Sequence, residues 1–226
     1  MKQGLIVVAF LVAIAVPVAC GAAPAQPGPY LSAFVGATFP TKQSVNSTDF
    51  VTSRSFSDHV SFDPGINAGG SAGFDFGYLR LEAEVSYKYA NIKSITDQST
   101  NVSFGNVDGY LGVLATMFNM FIDLHNDTPV TPYLGGGIGF AALHLNNTYG
   151  SGANGVRLLL YQGDDDTVFA YQAAAGIGIA LNRQVTLDLG YRYFGTATGS
   201  FGSDAPIMTE TKFESHNAVA GIRVKF

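Results

Sequence analysis

One compact group near the end of the chain combines an acid, a hydroxyl and an imidazole. Glu214, Ser215 and His216 are consecutive, and a base that activates a serine is the basis of covalent lipid hydrolysis. Successive residues of a β-strand point to opposite faces, so Ser215 and His216 do not share a proton directly if this segment is a strand. We predict a solvated group at a strand edge. A lipid A-modifying enzyme that pairs His216 with a serine of a neighbouring strand stays as an alternative.

Three further patterns are weak signals for a bound ligand. The run GGGIG at 135–139 is similar to part of a dinucleotide-binding loop, but no amphipathic helix follows it. The acidic run 164–166 has the chemistry to hold a divalent cation, but we predict a solvated acidic turn. His59, His125 and His144 lack the spacing of metal ligands. We predict no catalytic residue, no cofactor and no metal site.

Charged residues alternate with apolar ones in several segments. In 79–89, leucine, alanine, valine and tyrosine occupy the odd positions, and the even positions carry charges and a serine; a period of two predicts a strand. The predicted inward charges, five acidic and five basic, are Asp75, Arg80, Glu82, Glu84, Lys88, Asp108, Asp188, Arg192, Arg223 and Lys225. An unpaired buried charge costs several kcal/mol. We therefore predict a paired network that fills a narrow interior, with a narrow pore as an alternative.

The strand segments and their connections predict the architecture. Eight strands are predicted at 31–39, 66–76, 79–89, 107–117, 132–143, 169–181, 185–193 and 218–226, and Leu134, Ile138 and Phe140 of the fifth are expected to face outward. Short connections near 77–78, 123–131 and 182–184 alternate with long polar ones at 40–65, 90–105, 145–168 and 195–212. This alternation is typical of an all-β antiparallel transmembrane barrel, which leaves no unpaired edge. A soluble lipocalin-like barrel would have the opposite polarity.

Composition agrees with a membrane barrel. Only 13% of the 226 residues are charged, against about 25% in soluble domains. The chain has 27 Gly, 17 Phe and 11 Tyr but no Trp, a mixture that favours strands over helices. Its net charge of −5 gives no electrostatic support for binding nucleic acid.

The first 25 residues have the layout of a secretory signal. Lys2 precedes an apolar run at 5–18, and Ala23-Pro24-Ala25 offers a cleavage site. We predict a signal peptide at 1–25 and a barrel domain at 26–226, with an uncleaved helix as the alternative. Cys20, the only cysteine, is either removed with the leader or lipidated. In the first case the mature chain has no disulfide.

Three motifs resemble the small eight-stranded outer-membrane barrels of the opacity-protein and surface-antigen type, which are similar to the transmembrane domain of OmpA without its peptidoglycan-binding domain. They are PYLGGGIG at 132–139, LDLGYRY at 187–193 and AGIRVKF at 220–226. Ile222, Val224 and Phe226 resemble the family's signal for the barrel-assembly machinery.

The resemblance implies a non-enzymatic protein of the Gram-negative outer membrane. It would anchor the outer leaflet and present surface loops for adhesion or environmental contact, with 40–65 and 145–168 as the binding surface. The implied partners are outer-membrane lipid and lipopolysaccharide, the assembly machinery during insertion, and a host or surface ligand. Nucleic acid is not among them.

Overall fold

The computed structural model describes residues 27–49, 54–97, 103–105, 107–151, 157–161, 163–201 and 207–226. The predicted signal peptide and Cys20 lie outside these residues. The described strands are β1 (Gly28–Pro40), β2 (Gln43–Asp49), β3 (Arg54–Phe62), β4 (Gly65–Asp75), β5 (Leu79–Asp97), β6 (Ser103–Gly105), β7 (Tyr110–Asp123), β8 (Val130–Leu145), β9 (Thr148–Ser151), β10 (Arg157–Tyr161), β11 (Asp164–Ala180), β12 (Val185–Thr196), β13 (Gly199–Phe201), β14 (Ile207–Thr211) and β15 (Glu214–Lys225). Within this part of the chain, no helix has the length and apolarity needed to cross a membrane.

Eight of these strands form a closed antiparallel ring, which confirms the predicted fold. The order around the ring is β1, β4, β5, β7, β8, β11, β12 and β15. It closes because β1 pairs with β4 on one side and with β15 on the other, where the register runs from Tyr30 opposite Lys225 to Pro40 opposite Ser215. Every ring strand therefore has two neighbours, so its backbone polar groups find protein partners without water.

The two faces of each ring strand differ as the alternation predicts. In β5, Leu81 and Val85 are 45% and 52% exposed, whereas Glu84 between them is 1% exposed. The outward prediction for the fifth ring strand is confirmed, since Leu134, Ile138 and Phe140 are 50–64% exposed. The ring thus turns aliphatic and aromatic side chains outward and polar ones inward, the reverse of a soluble barrel.

Glycines let aromatic rings pack tightly inside the ring. A Cβ atom added at Gly176 would lie 2.5 Å from the Tyr133 hydroxyl oxygen, and one added at Gly190 would lie 2.7 Å from the same atom. Only glycine permits so close an approach. The Tyr133 side chain can therefore lie against two neighbouring strands.

One end of the ring carries only short connections. They are 76–78, 124–129 and 181–184. The first contains Gly77, whose φ of 102° favours glycine, and the Gly77 amide donates a 2.7 Å hydrogen bond to Asp75 Oδ1. We call this end the turn end.

The long connections at the other end are not simple loops, contrary to our expectation. They contain β2, β3, β6, β9, β10, β13 and β14. Strands β13, β14, β2 and β3 pair in that order and join the part of β5 beyond Ala90, on which β6 also pairs. We call β2, β3, β6, β13 and β14 the cap. Hairpin pairing explains them, because it satisfies backbone groups that loops would leave to water.

The barrel interior changes character along its axis. Polar and charged side chains fill the half nearest the turn end. Toward the cap, the apolar plug consists of Leu111, Val113, Ala115, Met117, Ala141, Leu143, Val168, Ala170, Phe194, Phe201 and Phe213. Phe201 and Phe213 come from the fourth long connection, so this connection helps to fill the barrel mouth.

Candidate functional site

Four ion pairs tie the ring strands together inside the barrel. Arg80 Nε lies 2.8 Å from Asp123 Oδ2, and both side chains are at most 5% exposed. Arg223 donates two hydrogen bonds, of 3.0 and 3.1 Å, to Asp188. This two-point geometry is the strongest that arginine offers a carboxylate.

The other two pairs bridge strands that are not adjacent. Lys225 Nζ lies 2.5 Å from Asp75 Oδ2, across β1. Arg192 Nη1 lies 2.7 Å from Glu84 Oε2, and β5 and β12 are on opposite sides of the ring. The Arg192 guanidinium also lies 4.2 Å from the centre of the Phe34 ring, a cation–π distance.

Neutral side chains complete the network around the remaining charges. Glu82 accepts hydrogen bonds from the Tyr30 hydroxyl at 3.0 Å and from Asn119 Nδ2 at 3.3 Å. Asn119 Nδ2 also donates to Glu84 Oε2 at 3.0 Å. Lys88 donates to Ser86 Oγ at 3.1 Å, and its ammonium lies 4.0 Å from the centre of the Phe194 ring.

The space left inside this network is small. One cavity of about 30 Å³ is lined by Phe34, Arg80, Glu82, Arg192 and Arg223, among others. That volume holds one or two water molecules. The geometry is that of a filled barrel rather than an open channel.

Nine of the ten predicted inward charges lie in the interior, and one does not. Asp108 is exposed and forms an isolated bridge with Tyr149. The prediction for Asp108 is wrong because the strand begins at Tyr110, so the alternation does not extend to 108. Asp123, the partner of Arg80, is not among the predicted inward charges, because the sequence pattern places it in a short connection. The signal for Asp123 is the face that it shares with Asn119 and Phe121, four and two positions earlier.

The acid, hydroxyl and imidazole group is divided between the two faces of β15. Ser215 is fully buried and its Oγ accepts a 3.2 Å hydrogen bond from Asn217 Nδ2. His216 faces outward, where its Nδ1 lies 2.6 Å from the Tyr191 hydroxyl. Its partners in the ladder are Phe39 and Tyr193. Neither paired strand therefore presents a serine directly opposite His216.

The other candidate ligand residues are engaged with protein groups. Lys212 Nζ lies 2.6 Å from Glu214 Oε1, and this hydrogen bond raises the pKa of the Lys212 ammonium. Asp165 bonds to His144, and Asp166 accepts a 2.8 Å hydrogen bond from the Ser200 amide. Across the described segments, no three His, Cys, Asp or Glu side chains converge as a metal site would need. The GGGIG run lies inside β8 and continues as a strand.

Outward aromatic rings form two rims. Near the cap, the ring centres of Tyr89 and Tyr110 are 5.1 Å apart, and His216 packs on Tyr193 at 5.5 Å. Near the turn end, Phe74 and Phe76 are 4.7 Å apart. Two such rims around an apolar belt are the aromatic girdles of a membrane barrel.

The residues of the predicted assembly signal lie at the turn end. Ile222 and Phe226 are 51% and 71% exposed, and Val224 is half-buried. The Phe226 amide donates a 3.0 Å hydrogen bond to the Pro29 carbonyl. The role of these residues in assembly stays a prediction.

Comparison with known proteins agrees with this architecture. An uncharacterized protein of Brucella abortus is 28% identical over 246 residues, which cover 90% of this chain and 86% of that protein. The crystal structure of Neisserial surface protein A (NspA) aligns with a TM-score of 0.51 at 20% identity, covering 89% of this chain and 99% of that one. The outer membrane protein OprG of Pseudomonas aeruginosa aligns with a TM-score of 0.54 at 11% identity, covering 88% and 97%. These two structures share the barrel fold.

A match to a family model shows which protein family the chain belongs to. The model described as outer membrane protein beta-barrel domain matches residues 7–226. The apolar belt, the aromatic rims and this match place the protein in the outer membrane, where the turn end faces the periplasm and the cap faces outward. The chain belongs to the outer membrane protein β-barrel family.

Proposed function

We propose that this protein is a non-enzymatic anchor in the outer leaflet that presents its acidic cap as a contact surface for a basic partner. The partner would be a host or environmental molecule with clustered positive charge. The barrel supplies the membrane anchor, and the outward connections supply the binding surface, as is common for loops on a rigid scaffold.

The distribution of charge carries the proposal. The outward ends of the ring strands and the segments between them, residues 41–64, 91–109, 146–168 and 197–214, contain eleven acidic and five basic residues. The interior contains five of each sign: Asp75, Glu82, Glu84, Asp123 and Asp188 against Arg80, Lys88, Arg192, Arg223 and Lys225. The short turns carry only Asp127 and Arg183. Beyond the predicted leader, these outward segments of the sequence thus account for the whole net negative charge, and negative charge attracts positive surfaces.

The paired strands of the cap favour a rigid binding surface over flexible loops. β2 pairs with β3 from Gln43 opposite Val60 to Asp49 opposite Arg54, and β3 continues the pairing onto β5. Val45, Val60, Ile92 and Ile95 form a small apolar core under this sheet. A sheet with its own core holds its charges at set positions, which lowers the entropy cost of binding.

The non-enzymatic part of the proposal is supported by the surroundings of His216. Its paired neighbours are aromatic, and its ring nitrogen bonds to the Tyr191 hydroxyl. We expect His216→Ala to leave the lipid A of expressing cells unchanged by mass spectrometry. A changed lipid A profile that depends on His216 would overturn this part.

The charge-binding part is tested with the full chain in phosphatidylcholine nanodiscs over immobilised polylysine and immobilised heparin. We expect saturable binding to polylysine, loss of that binding as salt rises, and no binding to heparin. Empty nanodiscs give the background. Binding to heparin but not to polylysine would contradict the proposal.

Matched charge reversals locate the surface. Glu210→Lys lies in β14 of the cap, whereas Asp127→Lys lies in an exposed periplasmic turn; each replaces a negative charge with a positive one, so the net charge changes equally. We expect the first to weaken polylysine binding about fivefold, or about 1 kcal/mol, and the second to leave it unchanged. Equal effects would show non-specific attraction and overturn the assignment to the cap.

A further inference from the structure

We propose that the outer face of β12, β15 and β1 binds one glycolipid of the outer leaflet. The sugar head of this lipid packs on a patch of aromatic rings near the cap, and one of its acyl chains lies in a shallow groove over β15. The outer leaflet supplies such a lipid as lipopolysaccharide, whose lipid A head is a disaccharide. This inference concerns the lipid face and is independent of the proposed contact function of the cap.

Four neighbouring rings form the aromatic part of the site. We call Tyr171, Tyr191, Tyr193 and His216 the head patch. Tyr191 stacks on His216 with ring centres 6.0 Å apart and planes at 25°. The Tyr193 ring centre lies 5.5 Å from that of His216 and 6.4 Å from that of Tyr171. The head patch thus runs without a break over β11, β12 and β15.

The head patch has the chemistry that a sugar needs. The C–H faces of a sugar ring are apolar and pack on aromatic rings, whereas its hydroxyls need donors and acceptors. Tyr171, Tyr191 and His216 are exposed on the outer face. A Cβ atom added at Gly195 would lie 2.5 Å from Tyr171 Cζ, so the Tyr171 ring lies directly over the backbone of β12. Packing therefore fixes this ring before a ligand arrives.

A charged pair adjoins the head patch on the cap side. Lys212 Nζ lies 2.6 Å from Glu214 Oε1, and the Lys212 side chain is more than half exposed. Glu214 interacts electrostatically with Tyr193, and Lys212 with Tyr171. The pair has no net charge but offers both donors and acceptors. It therefore suits neutral sugar hydroxyls better than an isolated phosphate.

The groove begins directly below the head patch. Ala218 and Ala220 follow His216 on the outward face of β15, and their small side chains form the floor of the groove. The larger side chain of Ile222 ends the groove toward the turn end. The groove is thus open at the head patch and closed within the membrane.

Larger side chains of the two neighbouring strands form the walls. On β12, Tyr191 lies opposite Ala218 and Leu189 opposite Ala220. On β1, Val35 lies opposite Ala220, and all three wall residues are exposed. Neighbouring strands are about 4.8 Å apart, so the walls stand roughly 10 Å apart at their backbones. That separation leaves room for one acyl chain between the wall side chains.

A second tyrosine and histidine group on the barrel has no such groove. The ring centres of Tyr110 and His144 are 6.2 Å apart, and His144 bonds to Asp165. Four residues from His144 toward the turn end, β8 carries Phe140, which is 64% exposed; the equivalent position of β15 is Ala220. An aromatic girdle alone therefore does not create the site, and this second group supplies a matched control.

The first test is native mass spectrometry of the full chain in detergent micelles, titrated with monophosphoryl lipid A or with phosphatidylglycerol, an anionic lipid without a sugar. We expect one bound lipid A and no comparable binding of phosphatidylglycerol. Ala218→Leu fills the groove and should weaken lipid A binding about tenfold. The matched control, Ala83→Leu, adds the same side chain to an exposed alanine of β5 and should leave binding unchanged. Equal binding of the two lipids, or equal effects of the two folded variants, would overturn the proposal.

A second pair of variants tests the head patch, even if Ala218→Leu does not fold. Tyr191→Ala should weaken lipid A binding about fivefold, whereas Tyr110→Ala in the second group should not change it. Heat-modifiable migration on gels shows that each variant is folded. Diphosphoryl lipid A should bind no more tightly than the monophosphoryl form, because the Lys212–Glu214 pair is neutral. Equal losses for the two tyrosines, or a strong preference for the second phosphate, would refute recognition of the sugar by the head patch.

Discussion

Glu84 and Arg192 stand on strands at opposite sides of the ring and meet inside it, with 2.7 Å between Glu84 Oε2 and Arg192 Nη1. They are 108 positions apart in the chain. Their side chains are 1% and 12% exposed, so each charge depends on the other for compensation. This pair joins β5 and β12, two ring strands that do not pair with each other through backbone hydrogen bonds.

Removing one member of this pair should destabilise the barrel strongly. Glu84→Ala leaves the Arg192 charge buried, which typically costs about 3–5 kcal/mol of unfolding free energy. Urea unfolding of the protein in lipid vesicles measures the loss. The matched control is Asp165→Ala, because Asp165 pairs with His144 where both side chains are more than half exposed; we expect a loss below about 1 kcal/mol. Similar losses for the two variants would contradict the role of the central pair.

Packing around Tyr133 gives a prediction about stability that a second substitution can check. Gly190→Ala places a Cβ 2.7 Å from the Tyr133 hydroxyl oxygen, which is too close, whereas its next contact is an ordinary 3.5 Å. We expect a cost of about 1–3 kcal/mol. Adding Tyr133→Phe removes the clashing oxygen and should recover most of it, measured by the same unfolding assay. Additive losses in the double variant would show that the hydroxyl is not the obstacle.

Introduced tryptophans can test whether the apolar outer face of the barrel contacts lipid, because the chain has no tryptophan of its own. Leu81→Trp, Leu189→Trp and Ile222→Trp replace residues that are 37–51% exposed on the outer face. We expect emission at short wavelength that lipids with brominated acyl chains quench. Tryptophan in place of the exposed Asp165 on the cap side serves as the control and should escape quenching. The reverse pattern would be incompatible with a membrane barrel of this orientation.

The last aromatic residue should matter more for assembly than for stability. Phe226 is 71% exposed, so Phe226→Ala removes little packing and should lower the unfolding free energy by less than about 1 kcal/mol. We expect a marked loss of folded protein in the outer membrane of expressing cells, measured by heat-modifiable migration of membrane fractions. The control is Phe140→Ala, which removes an equally exposed ring without touching the signal. Equal yields in the two variants would argue against the signal.

The period-two pattern of the sequence was sufficient for the ring. Segments such as 79–89 reveal which side chains face lipid, because the pleat of a strand alternates its two faces without exception over a regular stretch. The same pattern located Glu84 and Arg192 on the inner face. The alternation of short and long connections then indicated antiparallel order and the number of ring strands.

Only the tertiary structure decided which charges pair, because pairing depends on ring closure and register. Nothing near Glu84 in the sequence points to Arg192, and Asp123 was missed because a short segment at a strand end resembles a turn. The phenylalanines of the plug illustrate the same limit. Phe201 and Phe213 lie in a polar connection, and they are buried only because the closed ring offers an apolar mouth where they can leave water.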